Sequence, residues 1–399
     1  MHGRGAGSGT GCGMVAVRFA PNAEWLADPQ AQYRELRAQD PVHWSEELGH
    51  WVLTRYGDVV AVLKDRRFTA GNRPPQRRWG RATMMVTADP PEHARLRRPV
   101  THRFSAGAIQ QTRPRIQEVV DALLDEVEPR GEIDAVWDFA RQLPRTIIAE
   151  MMGVPLEPPR LTPRSGEPAR DEMLRPPRRE ESSEPPTTEQ DRFFERALEA
   201  HRAELQDDLL QDLLASEAGH RLSAEEVLDT AVILYGAGQE TTANMIGNGL
   251  LALLTHPEAL AKLRREPGLA HSAADELLRF DSPVHTVRRK ALEDVEIGGR
   301  TVREGDKVLC MLVAANHDPE VFAHPEQLDI ERRDNYHVAF GSGVHTCLGG
   351  LLARAETEIA VSTLVRRYPE LRLAVPPEEI EWTGSFVIRG VKRLPVALR

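Results

Sequence analysis

The sequence predicts a mainly α-helical protein with small β-sheets. Amphipathic helical periodicity recurs along most of the chain, and one largely apolar helical stretch over residues 225–255 is long enough for eight helical turns. Strand-like segments, in contrast, are short and scattered.

Taken in order, residues 25–39 have helical periodicity and carry Tyr33 and Leu36. Residues 50–54 read as a short strand, with Tyr56-Gly57-Asp58 as the turn after it. Residues 67–87 are irregular and rich in Arg, Pro and Gly. A helix over 90–104 opens with proline, which suits a first helical turn. Residues 109–124 and 139–152 are further amphipathic helices. Composition then shifts: 156–190 is dense in proline and charge with almost no apolar period, which fits a linker or a long loop over a site. Residues 191–214 resume as one helix. Ser223-Ala224-Glu225-Glu226 is a capping signal for the long apolar helix. A strand-rich stretch over 295–302, a proline-punctuated meander, a last helix over 351–368 and a β-rich tail complete the chain.

The 399 residues are 41% hydrophobic, enough for a large core, and the net charge of −10 argues against a general nucleic-acid binder. Cys12, Cys310 and Cys347 are odd in number and far apart, so no disulfide framework is expected and a cytoplasmic location is. No run of about 18 apolar residues occurs, so no membrane span is expected. Residues 1–18 read as a disordered Gly-rich leader ahead of a single domain over 19–399, and the chain is expected to be a monomer.

Phe340-Gly341-Ser342-Gly343-Val344-His345-Thr346-Cys347-Leu348-Gly349-Gly350 is the most informative stretch. Its glycines allow unusual dihedrals and close approach to a flat group. Cys347 lies just before a helix start, where the dipole and free N–H groups stabilise a thiolate. Zinc needs more Cys or His ligands than His345 alone. A nucleophile needs a base that the sequence does not single out. A single thiolate suffices as an axial ligand of haem iron. A plainly buried small residue is the bland alternative.

The pattern Phe-Gly-x-Gly-x-His-x-Cys-x-Gly resembles the haem-binding signature of cytochromes P450 of the bacterial, ferredoxin-dependent class, complete at Phe340, Gly341, Gly343, His345, Cys347 and Gly349. Further family motifs follow in order, over about residues 21–399, most weakly in 156–190. The resemblance implies the P450 fold, a triangular-prism-like helical domain around a buried haem b, with Cys347 as the iron ligand.

Other segments take their roles from the same resemblance. Ala237-Gly238-Gln239-Glu240-Thr241-Thr242 interrupts the long apolar helix with glycine, an acid and β-branched hydroxyls, all poor choices there. It is similar to the family's oxygen-activating motif, with Thr241 bonding to bound oxygen, Glu240 relaying protons, and Ala237 and Gly238 bordering the cofactor. The bland alternative is a Thr hydroxyl bonded to the preceding turn. Glu276 and Arg279, three apart, match the E-x-x-R pair, with Arg332 completing a structural triad. His93, Arg97, Arg289 and His345 are implied to bind the haem propionates.

Substrate contacts are expected from Met84, Met85, Val86, Ile233, Gly236, Ala237, Val284, His285, Phe386 and Val387, with His285 near the haem face as a partner for polar substrates. Arg73, Arg77, Arg78 and Arg81 read either as a solvated run or as a lure for an anionic substrate. No NAD, FAD or iron–sulfur motif is present, so the resemblance implies electrons from ferredoxin and ferredoxin reductase, met through Arg98 and Arg103. The implied reaction uses O2 to hydroxylate or epoxidise a small-molecule substrate of secondary metabolism. Oxidative coupling or desaturation, a non-catalytic haem sensor and a cysteine hydrolase are the rival readings.

Overall fold

The computed structural model describes Phe19, Trp25 and residues 28–71, 84–156, 189–383 and 386–399. The Gly-rich leader, most of the proline-rich stretch and the arginines Arg73, Arg77, Arg78 and Arg81 lie outside the described residues.

Helix α1 (Pro29–Gln39) is capped by the Asp28 carboxylate and leads to β1 (Val42–Ser45) and β2 (His50–Leu53). Tyr56, Gly57 and Asp58, expected as a turn, instead open α2 (Tyr56–Lys64), whose Val59, Val62 and Leu63 bury one face. The Tyr56 N–H at the start of that helix is held by the Asp318 carboxylate at 2.8 Å, a partner 262 positions away that no local signal announces. After β3 (Phe68–Thr69) come α3 (Glu92–Thr101) and α4 (Ala106–Val127). The helix expected over 139–152 is a π-helical turn, Ala135–Ala140, followed by α5 (Gln142–Met151), with β4 (Glu132–Asp134) before them.

The single helix expected over 191–214 is two, α6 (Glu189–Ala203) and α7 (Leu209–Ala218). Asp208 breaks it: its carboxylate caps Gln211 N–H at 2.9 Å and also meets the buried His201 Nε2 at 2.9 Å. The long helix α8 (Ala224–Thr255) spans 32 residues and opens with the expected capping box, Ser223 and Glu226 serving each other's backbone N–H. Then follow α9 (Pro257–Arg265), α10 (Ala270–Phe280), β5 (Thr286–Ala291), the hairpin β6 (Val295–Ile297) and β7 (Arg300–Val302), and β8 (Lys307–Met311). The last elements are α11 (Leu312–Ala315), α12 (Gly350–Arg367), β9 (Arg372–Leu373) and β10 (Pro395–Ala397).

The main sheet has the order β1-β2-β8-β5-β3, parallel only between β2 and β8. A three-stranded sheet, β4-β10-β9, ties the tail to the chain before α5. The largest apolar core joins α4, α5, α8, α10 and α12, a second lies under the main sheet, and a third is an aromatic group of Phe19, Trp25, Tyr33 and Phe386. Among the described residues no helix is long and apolar enough to cross a membrane.

Candidate active site

The cysteine loop is built by its glycines and by backbone hydrogen bonds. Gly341 and Gly343 sit at φ +72° and +74°, a region that costs other residues about 1–2 kcal/mol. Gly343 is also pressed on α2, since a Cβ there would fall 2.5 Å from the Leu63 carbonyl oxygen. The Cys347 N–H donates to the Phe340 carbonyl at 2.9 Å, and Gly341 N–H to Val338 at 2.8 Å. Gly349 precedes α12, and its N–H faces the Cys347 sulfur.

Cys347 has exposed surface, yet protein packs densely around it and raises its thiol pKa, against the pull of the Gly349 N–H and Arg97. Both hold together for a side chain in the wall of an internal cleft. Cys310 differs: it is fully buried on β8, and burial pushes its thiol up to about 12. It is an inert core thiol.

Four basic side chains meet beside this loop. The His93 and His345 rings are edge-to-face at 4.5 Å, and both imidazoles are kept neutral by burial, His345 down to about 4. Arg289 adds to the depression at His345, and Arg97 to that at His93. Arg97 Nη1 also donates to the carbonyls of Thr346 at 2.8 Å and Val344 at 3.3 Å, so it holds the loop itself. Arg289 is 8% exposed and bonds only the Arg288 carbonyl, with no carboxylate in salt-bridge range among the described residues. His345 Nε2 is buried without a partner. A buried guanidinium and an orphaned imidazole nitrogen are costly alone, so this cluster is shaped for an anionic ligand.

The long helix α8 carries an unusual face. Ala237 is the one exposed residue between Glu226 and Leu254 of a helix otherwise in the core. The Thr241 hydroxyl donates to the Ala237 carbonyl at 2.9 Å, the back-bonded arrangement, and Glu240 is half-buried beside it. Gly238, expected to border the cofactor, points elsewhere: a Cβ there would meet Ile148 of α5 at 3.1 Å, so its small size serves helix packing.

Behind the loop, Glu276 and Arg279 are fully buried and paired twice at 2.8 Å. Glu276 also accepts from Arg332 Nε at 3.0 Å, Asp329 N–H at 2.9 Å and Asn335 Nδ2 at 3.2 Å. Arg279 donates to the carbonyls of Asn316, Pro325 and Gln327. The Asn316 side chain accepts Val338 N–H at 2.7 Å, which carries the network into the cysteine loop. The sequence offered the three charged residues but gave no sign of Asn316 or Asn335.

Several expected substrate contacts are corrected by burial. His285 is fully buried, its Nδ1 is 3.3 Å from the Tyr33 hydroxyl, and its ring stands edge-on to Trp25 at 5.5 Å. Phe386 packs on Phe19 and Trp25, and Met85 lies in the main core. Met84, Val86, Ile233, Gly236, Ala237, Val284 and Val387 keep open surface, all without charge. Arg103, expected at a partner surface, is taken up by Asp207 and Asp212. Arg98 stays exposed, with no ion pair among the described residues.

Glu356 on α12 is a further buried acid that the sequence did not mark. It is 1% exposed, its Oε2 has no partner, and burial raises its pKa well above the carboxyl range. A raised folded-state pKa means stability is full below the unfolded carboxyl value, near 4.3, and is lost as pH climbs to the folded value. Glu356→Gln is therefore expected to melt higher than the parent at neutral and alkaline pH, with a gap that closes toward pH 4. A gap independent of pH in thermal unfolding would contradict this.

Residues 187–389 match the sequence model of the family described as Cytochrome P450. Cytochrome P450 monooxygenase PikC of Streptomyces venezuelae is 38% identical, over 94% of this chain and 92% of its own. The chain belongs to the cytochrome P450 family. Another relative, the vitamin D(3) 25-hydroxylase of Pseudonocardia autotrophica, is 39% identical over 93% of this chain and 94% of its own. Among solved structures, the crystal structure of CalO2 superposes with a TM-score of 0.85 at 32% identity, covering 96% of this chain and 99% of that one. The protein is thus an oxidoreductase of the P450 monooxygenase family with the P450 fold, and its cofactor is haem b.

The residues fit that cofactor. A haem carries two carboxylates, and the P450 offers the unpaired Arg289, Arg97 and the orphaned His345 Nε2. A flat ring needs a wall without side chains in the way, and a Cβ on Gly349 would meet no protein atom. A single soft donor, the free and exposed Cys347, is available beside them.

Proposed function

We propose that this P450 inserts one atom of O2 into a small, largely apolar substrate of secondary metabolism, with electrons delivered by ferredoxin and ferredoxin reductase. The observation that carries the reading is the Cys347 thiol in its glycine-framed loop beside the anion-shaped cluster of Arg97, Arg289 and His345, with the exposed Ala237 and half-buried Thr241 breaking the buried face of α8. When bound, haem supplies oxygen binding and activation. Cys347 would hold the iron, while His93, Arg97, Arg289 and His345 would take the propionates. The Thr241 hydroxyl is bonded to Ala237 and would turn toward the bound oxygen, and Glu240, one residue before it, would relay protons.

Met84, Val86, Ile233, Gly236, Val284 and Val387 are uncharged and keep open surface, which would favour an apolar substrate and the exclusion of water. The names of two relatives, a monooxygenase and a 25-hydroxylase, point to oxygen insertion as the outcome. Arg98 remains as an exposed cation for an acidic electron donor.

Turnover under labelled dioxygen tests the reaction type. One labelled oxygen atom in the product is expected. Unlabelled product from oxygen-dependent turnover would replace insertion by coupling or desaturation.

A further inference from the structure

Glu276 has an acidic neighbour whose contacts run to the cysteine loop. Asp275, on α10, forms a close ion pair with Arg354 of α12 and lies 3.6 Å from His337 Nε2. His337 Nδ1 accepts the backbone N–H of Ala339 at 3.3 Å, which leaves the ring proton on Nε2, facing Asp275. Burial alone would raise the Asp275 carboxyl, but His337 and Arg354 outweigh it and hold it below its ordinary value. The His337 side chain is 3% exposed, so this contact is interior.

Phe340 sits between these groups. Its ring lies 5.9 Å from that of His337 and 5.7 Å under the Arg354 guanidinium, and its carbonyl receives the Cys347 N–H. Asp275 therefore ties together the strand of chain entering the loop, the first residue of the loop and the helix leaving it. Glu276 ties down the meander in the same way from the next position along α10.

We propose that Asp275, His337 and Arg354 form a second clamp that positions the cysteine loop through Phe340 and so sets the hydrogen-bonding environment of the Cys347 sulfur. The sulfur's donor, Gly349 N–H, is at the start of α12, about one turn before Arg354. If α12 drifts from Phe340, both ends of the Cys347 frame move. Partners one shell out from a metal ligand tune it in this manner. These are positioning residues; none of them touches substrate. The inference rests on Cys347 as the iron ligand.

The test uses the holoprotein and three variants. His337→Phe keeps a ring and removes the Ala339 hydrogen bond and the Asp275 contact, His337→Gln restores an acceptor and a donor, and Glu358→Gln removes the charge from the Arg113 and His271 ion pairs elsewhere on α12. After reduction and CO addition, the fraction converted by mild heating from the long-wavelength, thiolate-type Soret band to the short-wavelength band is measured, together with the haem reduction potential. His337→Phe is expected to convert about fivefold more, the shift one ordinary hydrogen bond carries, and to have a lower potential as the sulfur loses its donor. His337→Gln should stay near the parent, and Glu358→Gln should change neither reading at a matched loss of melting temperature. Parent-like behaviour of His337→Phe, or an equal change in Glu358→Gln, overturns the clamp. A parent protein without the thiolate-type band overturns the Cys347 assignment itself, and the clamp with it.

Discussion

Glu276→Gln is expected to cost about 3–5 kcal/mol of folding stability and to release the haem. The carboxylate is fully buried and takes hydrogen bonds from two arginines, one backbone amide and Asn335. Without its charge, Arg279 at 0% exposure is left as an uncompensated buried cation, and Arg332 loses the same partner. The damage then travels along Arg279, the Asn316 carbonyl and the Asn316 side chain to Val338 N–H, the entrance of the loop. Urea unfolding with parallel measurement of bound haem checks this. A variant within about 1 kcal/mol of the parent, the range of an exposed ion pair, would show that the network is dispensable.

Gly343→Ala is the second large effect, and its cause is geometric. A left-handed φ of +74° costs alanine about 1–2 kcal/mol. The new methyl would also lie 2.5 Å from the Leu63 carbonyl oxygen and 3.3 Å from Lys64 Cα, both main-chain atoms that cannot swing aside. The end of α2 or the loop itself must move, and the loop holds Cys347. Gly299→Ala is the control: φ is +76°, but nothing lies within 4 Å. Both variants should lose stability in unfolding experiments, and only Gly343→Ala should lose haem. Equal haem retention would mean that the contact with α2 does not set the loop.

These two sites also show what a sequence can disclose. The cysteine loop was legible because its requirements are local: glycines at left-handed positions, a thiol, a helix start. The capping box of α8 was legible for the same reason. The helix opening at Tyr56 was not, since its first N–H is satisfied by Asp318, and neither was the break before α7, which depends on the His201–Asp208 contact. Side-chain facing was the harder problem. His285, just before β5, and Phe386, in the tail, stand on irregular chain where no period tells inside from outside, and tertiary packing placed both among aromatic rings. Gly238 was read as room for a cofactor, while the room is taken by Ile148. The charges of the E-x-x-R triad stood out, but the neutral partners that transmit its effect, Asn316 and Asn335, look like any surface asparagine in a sequence.

The most direct measurement is the absorption spectrum of the reduced, CO-treated protein with cysteine or serine at position 347. The parent is expected to show the long-wavelength Soret band of a thiolate-ligated haem, and Cys347→Ser to lose it while keeping its helical content by circular dichroism. An unchanged band in Cys347→Ser, or a parent that stays colourless after haem loading, would contradict the assignment of the sulfur as the iron ligand.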